Sequence, residues 1–339
     1  MKLATMKNGT RDGVLAVVSQ DLTRAVYAST AASTMQWALE HWDQVKPGLD
    51  ELYRGLNAGT QQDAFPFDPD LLAAPLPRAY QWLDGSAFLS HGRRMEKAFN
   101  LAHSNEYEKF PLMYQGGSDD FLGPRDAIVL PSEDDGIDFE GEIAVIVGDV
   151  PMGVSSDEAA DYINLIMLVN DVSLRALAPR EMKTGFGFIH AKPSSAFSPV
   201  AVSPDELGAG WQHGRVCLPL RVKWNGQIFG EPDASQMSFS FPELIAHAAK
   251  TRRLRAGTII GSGTVSNADT GVGTACISEC RAEQMIQGQT SLTPFMSFGD
   301  RVRIEMLDRE GNSIFGAIDQ CIVKAPCFSG HSDDQLTLP

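Results

Sequence analysis

The sequence is poor in cysteine and in basic residues. Five cysteines occur in 339 residues, and this small, odd number argues against a disulfide framework. Lys and Arg together number 28 against 43 Asp and Glu, so the formal net charge is −15. Nucleic acids and anionic membrane surfaces both select basic proteins, so neither is expected as a partner.

Long apolar runs are also missing. The run at residues 165–169 is far shorter than the ~20 residues that span a bilayer. Residues 1–9 lack the apolar segment of a signal peptide. We therefore expect a soluble, cytoplasmic protein. Cys276 and Cys280 have no second cysteine pair and no nearby histidine, so we interpret them as small buried residues rather than zinc ligands.

The composition that remains is that of a globular protein, with 43% hydrophobic and 21% charged residues. The length suggests about two domains. We expect a small N-terminal domain at residues 1–75, a catalytic domain at 76–328 and a disordered polar tail at 329–339. In the first segment, a β-like run at 13–18 precedes helical patterns at 30–43 and 48–56, which Lys46-Pro47-Gly48 would separate.

Residues 80–328 show mainly β patterns. Asn225-Gly226 between two alternating segments predicts a hairpin, and residues 308–312 predict a second one. Ser155 and Glu158 have the spacing of a capping box, and a further helix is expected over 242–254. No regular βαβ alternation appears. The fold class predicted is therefore mostly β with α (α+β) rather than a doubly wound sheet.

Two glutamates stand close together in the segment at residues 138–148. In a strand, Glu140 and Glu142 would point to the same face, about 6.6 Å apart. The opposite face would carry Phe139, Ile143, Val145 and Val147. Like charges on a buried strand repel each other unless a cation lies between them, and carboxylate oxygens select Mg²⁺, Mn²⁺ or Ca²⁺. The alternative is a solvent-facing pair on an edge strand.

Two further acidic residues occupy informative positions. Asp171 directly follows an apolar run, as a carboxylate at the end of a buried strand would, or as a turn or helix cap would. Asp84 precedes His91 by seven residues. The ordinary pKa of histidine, about 6.5, suits a general base near neutral pH. Without this context, His91 would be interpreted as a surface histidine in a polar loop.

Taken together, these segments resemble the fumarylacetoacetate hydrolase superfamily over residues 78–325. The resemblance is carried by five motifs in the expected order: Tyr114-Gln115-Gly116-Gly117, the E-x-E strand, Asn170-Asp171-Val172-Ser173-Leu174-Arg175, the segment from Gly187 to Lys192-Pro193, and Gly261-Ser262-Gly263-Thr264-Val265-Ser266. It implies a mixed β-sandwich or β-roll catalytic domain, preceded by a small N-terminal α/β domain. It also implies a homodimer.

The resemblance assigns roles to individual residues. It implies that Glu140, Glu142 and Asp171 bind one divalent cation (Mg²⁺, Mn²⁺ or Ca²⁺), with Asp84 as a fourth ligand. His91 would activate water and Lys192 would stabilise the developing negative charge. The residues expected to contact substrate are Tyr114, Arg175, Gly263 and Thr264. From the residues alone, Lys192 could equally be a surface lysine, and Thr264 could belong to a simple turn.

The chain also differs from the family pattern at several positions. Ala178 and Met182 stand where the prototype hydrolase has polar Gln and Tyr side chains that contact substrate. Some members orient the histidine with a Glu three residues after it, a position that Arg94 occupies here. Glu279 and Glu96 are then the candidates to orient His91, and we prefer Glu279.

The activity that the resemblance implies is hydrolysis of a C–C bond in a 1,3-diketo acid, in the breakdown of aromatic compounds. Fumarylacetoacetate, fumarylpyruvate or another acylpyruvate would be the substrate. His91 would activate the water, and the leaving carbon would depart as an enolate held by the cation. Decarboxylation, hydration or isomerisation of a 2-oxo acid on the same metal site is an alternative. A non-catalytic acidic binding or scaffold protein is an alternative of another class.

Overall fold

The computed structural model describes residues 1–100 and 106–326. The predicted tail at 329–339 and the last residues of the predicted catalytic domain lie outside the described residues. The strands are β1 (Lys2–Met6), β2 (Val14–Val18), β3 (Arg24–Tyr27), β4 (Phe65–Pro66), β5 (Trp82–Gly85), β6 (Met113–Gly116), β7 (Ile128–Leu130), β8 (Ile137–Asp138), β9 (Gly141–Val147), β10 (Ile163–Asn170), β11 (Ser173–Leu174), β12 (Ala196–Phe197), β13 (Ala201–Val202), β14 (Trp211–Gln212), β15 (Arg215–Val216), β16 (Leu220–Trp224), β17 (Gln227–Gly230), β18 (Ile259–Gly261), β19 (Arg301–Leu307) and β20 (Ser313–Lys324). The helices are α1 (Met35–Glu40), α2 (Trp42–Asn57), α3 (Leu89–Phe99), α4 (Ser156–Ala159), α5 (Ala178–Thr184), α6 (Phe241–Ala248) and α7 (Ile277–Ile286).

Two sheets dominate the structure. The larger has the order β4-β3-β2-β1-β13-β10-β9-β18-β5-β6, with β12 paired to β10, and the smaller has the order β17-β16-β19-β20-β7. Most neighbours are antiparallel, whereas β18 runs parallel to β5 and β20 runs parallel to β7. The predicted α+β class is confirmed. The N-terminal strands continue the larger sheet, because β1 pairs with β13 at Lys2 and Val202.

The larger sheet is buried on both of its faces. Along β9, Ile143, Val145 and Val147 pack in the core shared with the smaller sheet, which contributes residues such as Val222 and Ile304. The alternate residues of β9, Ala144 and Ile146, pack in a second core that α1 and α2 cover. Strand alternation explains this division, since successive side chains point to opposite faces.

Several segments form the turns and helix caps that their local sequence predicts. Asn225 and Gly226 connect β16 to β17 with φ values of 49° and 79°, as a two-residue turn with two left-handed positions requires. The turn at 308–312 connects β19 to β20. Ser155 and Glu158 form a capping box at the start of α4. The helix expected over 242–254 is shorter and covers Phe241–Ala248.

The predicted break at Pro47 is wrong. α2 continues through Pro47 and buries Val45, Leu49 and Leu56 on one face. An internal proline costs about 3 kcal/mol. Burial of a Val or Leu side chain contributes about 1.5–3 kcal/mol, so three of them outweigh that cost. The break lies instead at His41, whose φ of −122° and ψ of 30° separate α1 from α2.

Among residues 1–100 and 106–326, no helix combines the length and the apolar composition that crossing a bilayer requires.

Candidate active site

Three carboxylates converge at the end of neighbouring strands in the larger sheet. Asp84 lies in β5, Glu142 lies in β9, and Asp171 directly follows β10. The strand β18 lies between β5 and β9, where Gly261 pairs with both Asp84 and Ala144. One oxygen from each carboxylate lies within 4.8 Å of the other two. We call this group the carboxylate cluster.

The carboxylate cluster is buried, and its like charges repel one another. Glu142 and Asp171 are fully buried and Asp84 is 4% exposed. Burial raises the pKa of Glu142 well above its usual range, and the nearby Asp84 and Asp171 raise it further. Burial and Asp171 likewise raise the pKa of Asp84. Among the residues that the structure describes, neither side-chain oxygen of Glu142 has a hydrogen-bond partner.

Such an arrangement fits a hard divalent cation. Buried oxygens without partners are costly, and several carboxylates in contact cannot all stay ionised unless positive charge lies between them. The three side chains offer only oxygen atoms, which Mg²⁺, Mn²⁺ and Ca²⁺ prefer. Asp84, Glu142 and Asp171 are therefore residues that could hold such a cation.

Two glycines determine how Asp84 is held. The N–H of Gly263 donates to Oδ1 of Asp84 over 3.0 Å. Gly263 has a φ of +73°, and a Cβ atom there would lie 2.3 Å from the carbonyl oxygen of Gly85. At Gly261, a Cβ atom would lie 2.2 Å from Asp84 Oδ1. Close packing of Gly261 against Asp84, and of Gly263 against the backbone of Gly85, thus explains both glycines before the buried Thr264.

Asp171 is surrounded by donors. Its Oδ1 accepts a 2.7 Å hydrogen bond from the Ser195 hydroxyl. Its Oδ2 accepts 2.5 Å hydrogen bonds from the Tyr114 hydroxyl and from Lys192 Nζ. Burial raises the pKa of Tyr114, and the negative charge of Asp171 adds to that effect, so Tyr114 remains a donor. The ring of Phe188 packs edge-on against Tyr114 at 5.1 Å.

Glu140 lies outside the carboxylate cluster. Its Oε2 accepts a 2.5 Å hydrogen bond from Lys192, and its Oε1 accepts a 2.6 Å hydrogen bond from Nη2 of Arg175. Burial alone would raise the pKa of Glu140, but the two cations lower it below its usual range. Conversely, Asp171 and Glu140 raise the pKa of Lys192 against the effect of burial. The Lys192 ammonium therefore bridges Glu140 and Asp171.

A histidine and a glutamate meet beside this group. His91 lies in α3, and Glu279 lies in the first turn of α7. His91 Nδ1 is 2.9 Å from Glu279 Oε2. Burial lowers the pKa of His91 to about 4. The imidazole is therefore neutral at neutral pH. Glu96, the other candidate partner of His91, lines a cavity together with Tyr107 and neighbouring residues.

The site is supported by further residues that were not identified from the sequence. Asp138 accepts hydrogen bonds from the N–H groups of Ile277 and Ser278 at the start of α7, and also from Arg175. Alternation could have indicated Asp138, which precedes Glu140 by two residues. Arg94 and Ser266 stand at positions that the family pattern covers, whereas Glu181 and Ser195 had no comparable local signal.

Cys276 is part of a second close group. Its sulfur lies within 4.8 Å of ligand atoms of His91 and Glu279. The Cys276 sulfur accepts the N–H of Glu279 over 3.3 Å and so caps α7. Burial raises the pKa of Cys276 well above its usual range. Cys276 is thus a buried, protonated capping residue.

Comparisons with known proteins agree with this architecture. A 5-carboxymethyl-2-hydroxymuconate delta-isomerase from Mycobacterium smegmatis has a TM-score of 0.59 at 18% identity, over 96% of this chain and 100% of that one. The maleylpyruvate hydrolase of Sphingobium sp. SYK-6, solved with manganese(II) ion and pyruvate, has a TM-score of 0.64 at 15% identity over the same shares. These likenesses confirm the fold.

Matches to family models identify the family, and sequence relatives agree with it. The oxaloacetate tautomerase YisK of Bacillus subtilis (strain 168) is 29% identical over 205 residues, which span 59% of this chain and 64% of that protein. The family described as fumarylacetoacetase N-terminal domain 2 matches residues 1–78. The family described as fumarylacetoacetate (FAA) hydrolase C-terminal matches residues 81–323, well over half of the chain. The resemblance inferred from the motifs is confirmed, and the chain belongs to the fumarylacetoacetate hydrolase family.

Proposed function

We propose that the protein is a metal-dependent hydrolase that cleaves the C–C bond between the distal carbonyl carbon and the central carbon of an acylpyruvate or a similar 1,3-diketo acid. The observation that carries this proposal is the contact between the partly buried His91 and the buried Glu279 beside the carboxylate cluster. A neutral histidine held by a carboxylate is suited to take a proton from water. Hydrolysis requires such an activated water, whereas decarboxylation does not.

The cation of this proposal is divalent, and Asp84, Glu142 and Asp171 would hold it. When bound, it supplies a Lewis acid for the oxygens of a 2-oxo acid. Glu140 is a fourth ligand only if the Lys192 ammonium moves away from it, since that ammonium lies 2.5 Å from Glu140. The manganese ion and pyruvate of the maleylpyruvate hydrolase support a small 2-oxo acid as part of the substrate.

The roles of this chain's residues follow from their contacts. Glu279 fixes the Nδ1–H of His91, so Nε2 takes the proton when water adds to the distal carbonyl. Lys192 supplies positive charge for the oxyanion that forms there. The bond between the two halves then breaks, one half leaving as a carboxylic acid and the other as an enolate that takes up a proton. Tyr114, Arg175, Gly263 and Thr264 are the proposed substrate contacts.

A tautomerase is the second candidate, because the related YisK protein is an oxaloacetate tautomerase. Tautomerisation moves a proton next to a carbonyl and breaks no C–C bond, so the same base and cation would suffice. Product analysis separates the two candidates.

The organisation of the whole protein remains part of the proposal. We propose a catalytic domain at residues 76–328, preceded by a small domain at 1–75, and a homodimer. The family membership supports all three.

The experiment that tests the function is a screen of acylpyruvates, fumarylpyruvate, fumarylacetoacetate and oxaloacetate with Mn²⁺, Mg²⁺ or Ca²⁺ added. We expect the diketo absorbance to disappear with release of pyruvate or acetoacetate, and EDTA to stop the reaction. His91→Gln and Glu142→Gln are expected to lower kcat at least 100-fold. Turnover that persists in EDTA would overturn the metal mechanism. Enol–keto exchange without cleavage would establish the tautomerase, and no turnover in either variant or wild type would favour a binding protein.

A further inference from the structure

Arg94 lies one turn after His91 on the same face of α3. Its side chain is 9% exposed, and its guanidinium contacts the carboxylate of Glu279. Arg94 Nε is also 3.2 Å from Oε2 of Glu283, and Nη2 donates to the carbonyl oxygen of Asn267 over 2.9 Å. Each of the three guanidinium nitrogens thus contacts α7 or the segment before it, and these contacts hold the side chain in one orientation.

The two oxygens of Glu279 have separate partners. Oε2 faces Nδ1 of His91, whereas Oε1 accepts hydrogen bonds from Arg94 and, over 2.6 Å, from the Ser266 hydroxyl. Glu279 is 1% exposed, so these side chains replace water as its partners. A carboxylate buried this deeply is stable in its charged form only with such partners. Whatever binds Oε1 therefore also fixes the direction of Oε2.

We propose that Arg94 is a positioning residue for the base. By holding the Glu279 carboxylate charged and fixed from the side opposite the histidine, it makes Glu279 accept the Nδ1–H of His91 and leaves Nε2 without a proton. The tautomer of a histidine is set by the hydrogen bond of its other nitrogen. Arg94 acts only through Glu279, and the proposal rests on the function proposed for His91.

The charges around His91 come from several elements. Glu279 from α7 contacts the ring directly. The other charges are Arg94 from α3, Asp138 from β8, Glu140 between β8 and β9, and Arg175 after β11. Arg94 and Arg175 favour the neutral imidazole, whereas Glu140 and Asp138 favour the charged one. Loss of the Arg94 charge would leave the negative charge of Glu279 without its balancing positive charge. A proton would then be drawn to the His91–Glu279 pair, and the ring would no longer present a free Nε2.

The test measures the tautomer directly. The full chain contains seven histidines, so ¹⁵N-histidine labelling gives few signals, and the His91 signals are assigned by their loss in H91Q. With Mg²⁺ present and no substrate, we expect the Nδ1-protonated neutral form in the wild type. In R94Q we expect a mixture of ring forms, a 10- to 100-fold lower kcat and a KM within threefold of the wild type.

Glu283 offers the matched control. Its carboxylate contacts Nε of the same guanidinium. E283Q therefore weakens the contact between α3 and α7 but leaves the Arg94 guanidinium against Glu279. We expect E283Q to keep the wild-type tautomer and kcat. R94K keeps the positive charge but lacks the planar guanidinium with its several donors. We expect R94K to retain the wild-type tautomer, with a kcat at least fivefold lower than that of the wild type.

Three results would overturn the proposal: a wild-type tautomer and kcat in R94Q, a tautomer change in E283Q as large as that in R94Q, or a wild-type kcat in R94K. The R94K comparison also decides the matter if R94Q does not fold. Because the ring signals are read without substrate, they test Arg94 even if the protein proves not to be a hydrolase.

Discussion

The Nδ1 atom of His91 lies 2.9 Å from the Oε2 atom of Glu279, a residue 188 positions further along the chain. The contact joins the first turn of α7 to α3. With Nδ1 engaged, only Nε2 is left to exchange a proton with a ligand or with water. This one contact therefore determines which atom of the ring can act as a base.

The first prediction concerns pH. Burial lowers the pKa of His91 to about 4, so its neutral form persists well below the ordinary histidine value of about 6.5. We expect kcat/KM to stay level as the pH falls from about 8 to about 5.5, and to decline only at lower pH. A pH profile with buffer controls for metal binding measures this. An acid limb centred near pH 6.5 would contradict it.

Glu142→Gln is expected to stabilise the metal-free protein. The pKa of Glu142 is raised in the folded chain, so its contribution to stability is full below the unfolded value of about 4.3 and is lost as the pH rises. At pH 8 we expect the variant to melt roughly 2–8 °C higher in EDTA, which corresponds to about 1–2 kcal/mol. Added Mn²⁺ should raise the melting temperature of the wild type but not that of the variant.

Glu310→Gln provides the control for this experiment, because it removes an exposed carboxylate in the turn between β19 and β20. Its melting temperature and its response to Mn²⁺ should match the wild type. A Glu142→Gln protein that Mn²⁺ still stabilises would show that the cation lies elsewhere.

Gly263→Ala is expected to disturb Asp84 and the proposed cation site. The added Cβ would lie 2.3 Å from the Gly85 carbonyl oxygen, in a backbone with φ of +73°. Gly288→Ala matches the strain, with φ of +74°, but meets nothing within 4 Å. Both variants should lose the ~1 kcal/mol of a left-handed alanine. Gly263→Ala should lose at least ~2 kcal/mol more.

Calorimetric titration with Mn²⁺ gives the second readout for this pair. Loss of a residue that orients a metal ligand typically costs about 10–100-fold in metal affinity, and we expect that loss for Gly263→Ala alone. Equal Mn²⁺ affinity in the two variants would show that Asp84 does not depend on the Gly263 contact.

Glu181 is expected to position Lys192. Its carboxylate accepts hydrogen bonds from three consecutive N–H groups, those of Ile189, His190 and Ala191, directly before Lys192. Glu181→Ala should lower kcat about tenfold, because the ammonium is then less well placed. Chymotrypsin should also cut faster at the exposed residue Phe186.

Glu158→Ala is the matched control, since Glu158 caps α4 by a similar contact between a carboxylate and the backbone. It should leave both kcat and the cleavage rate unchanged. A wild-type kcat in Glu181→Ala would separate this loop from catalysis.

Parts of the fold that depend on neighbouring residues were predictable from the sequence. Asn225-Gly226 and the Ser155–Glu158 pair act over two to four residues, and both form as predicted. The path of α2 through Pro47 was not predictable in this way. It depends on the burial of Val45, Leu49 and Leu56 against distant strands, which no local signal reports.

The candidate site was partly predictable for the same reason. Alternation placed Glu140 beside Glu142, but regular pairing stops between β8 and β9, and Glu140 lies in that interruption. Its carboxylate therefore meets Lys192 and Arg175 instead of joining the carboxylate cluster. The contacts of Arg94 connect residues 172 to 189 positions apart, and only the folded chain reveals them.

One carboxylate connects the two halves of the site. Asp138 accepts hydrogen bonds from the first N–H groups of α7, the helix that carries Glu279. It also accepts a hydrogen bond from Arg175, which donates a second one to Glu140. Because Lys192 bridges Glu140 and Asp171, these contacts connect the His91–Glu279 pair to the carboxylate cluster. Their relative placement is fixed when the chain folds, so little conformational entropy remains to be lost when a ligand binds.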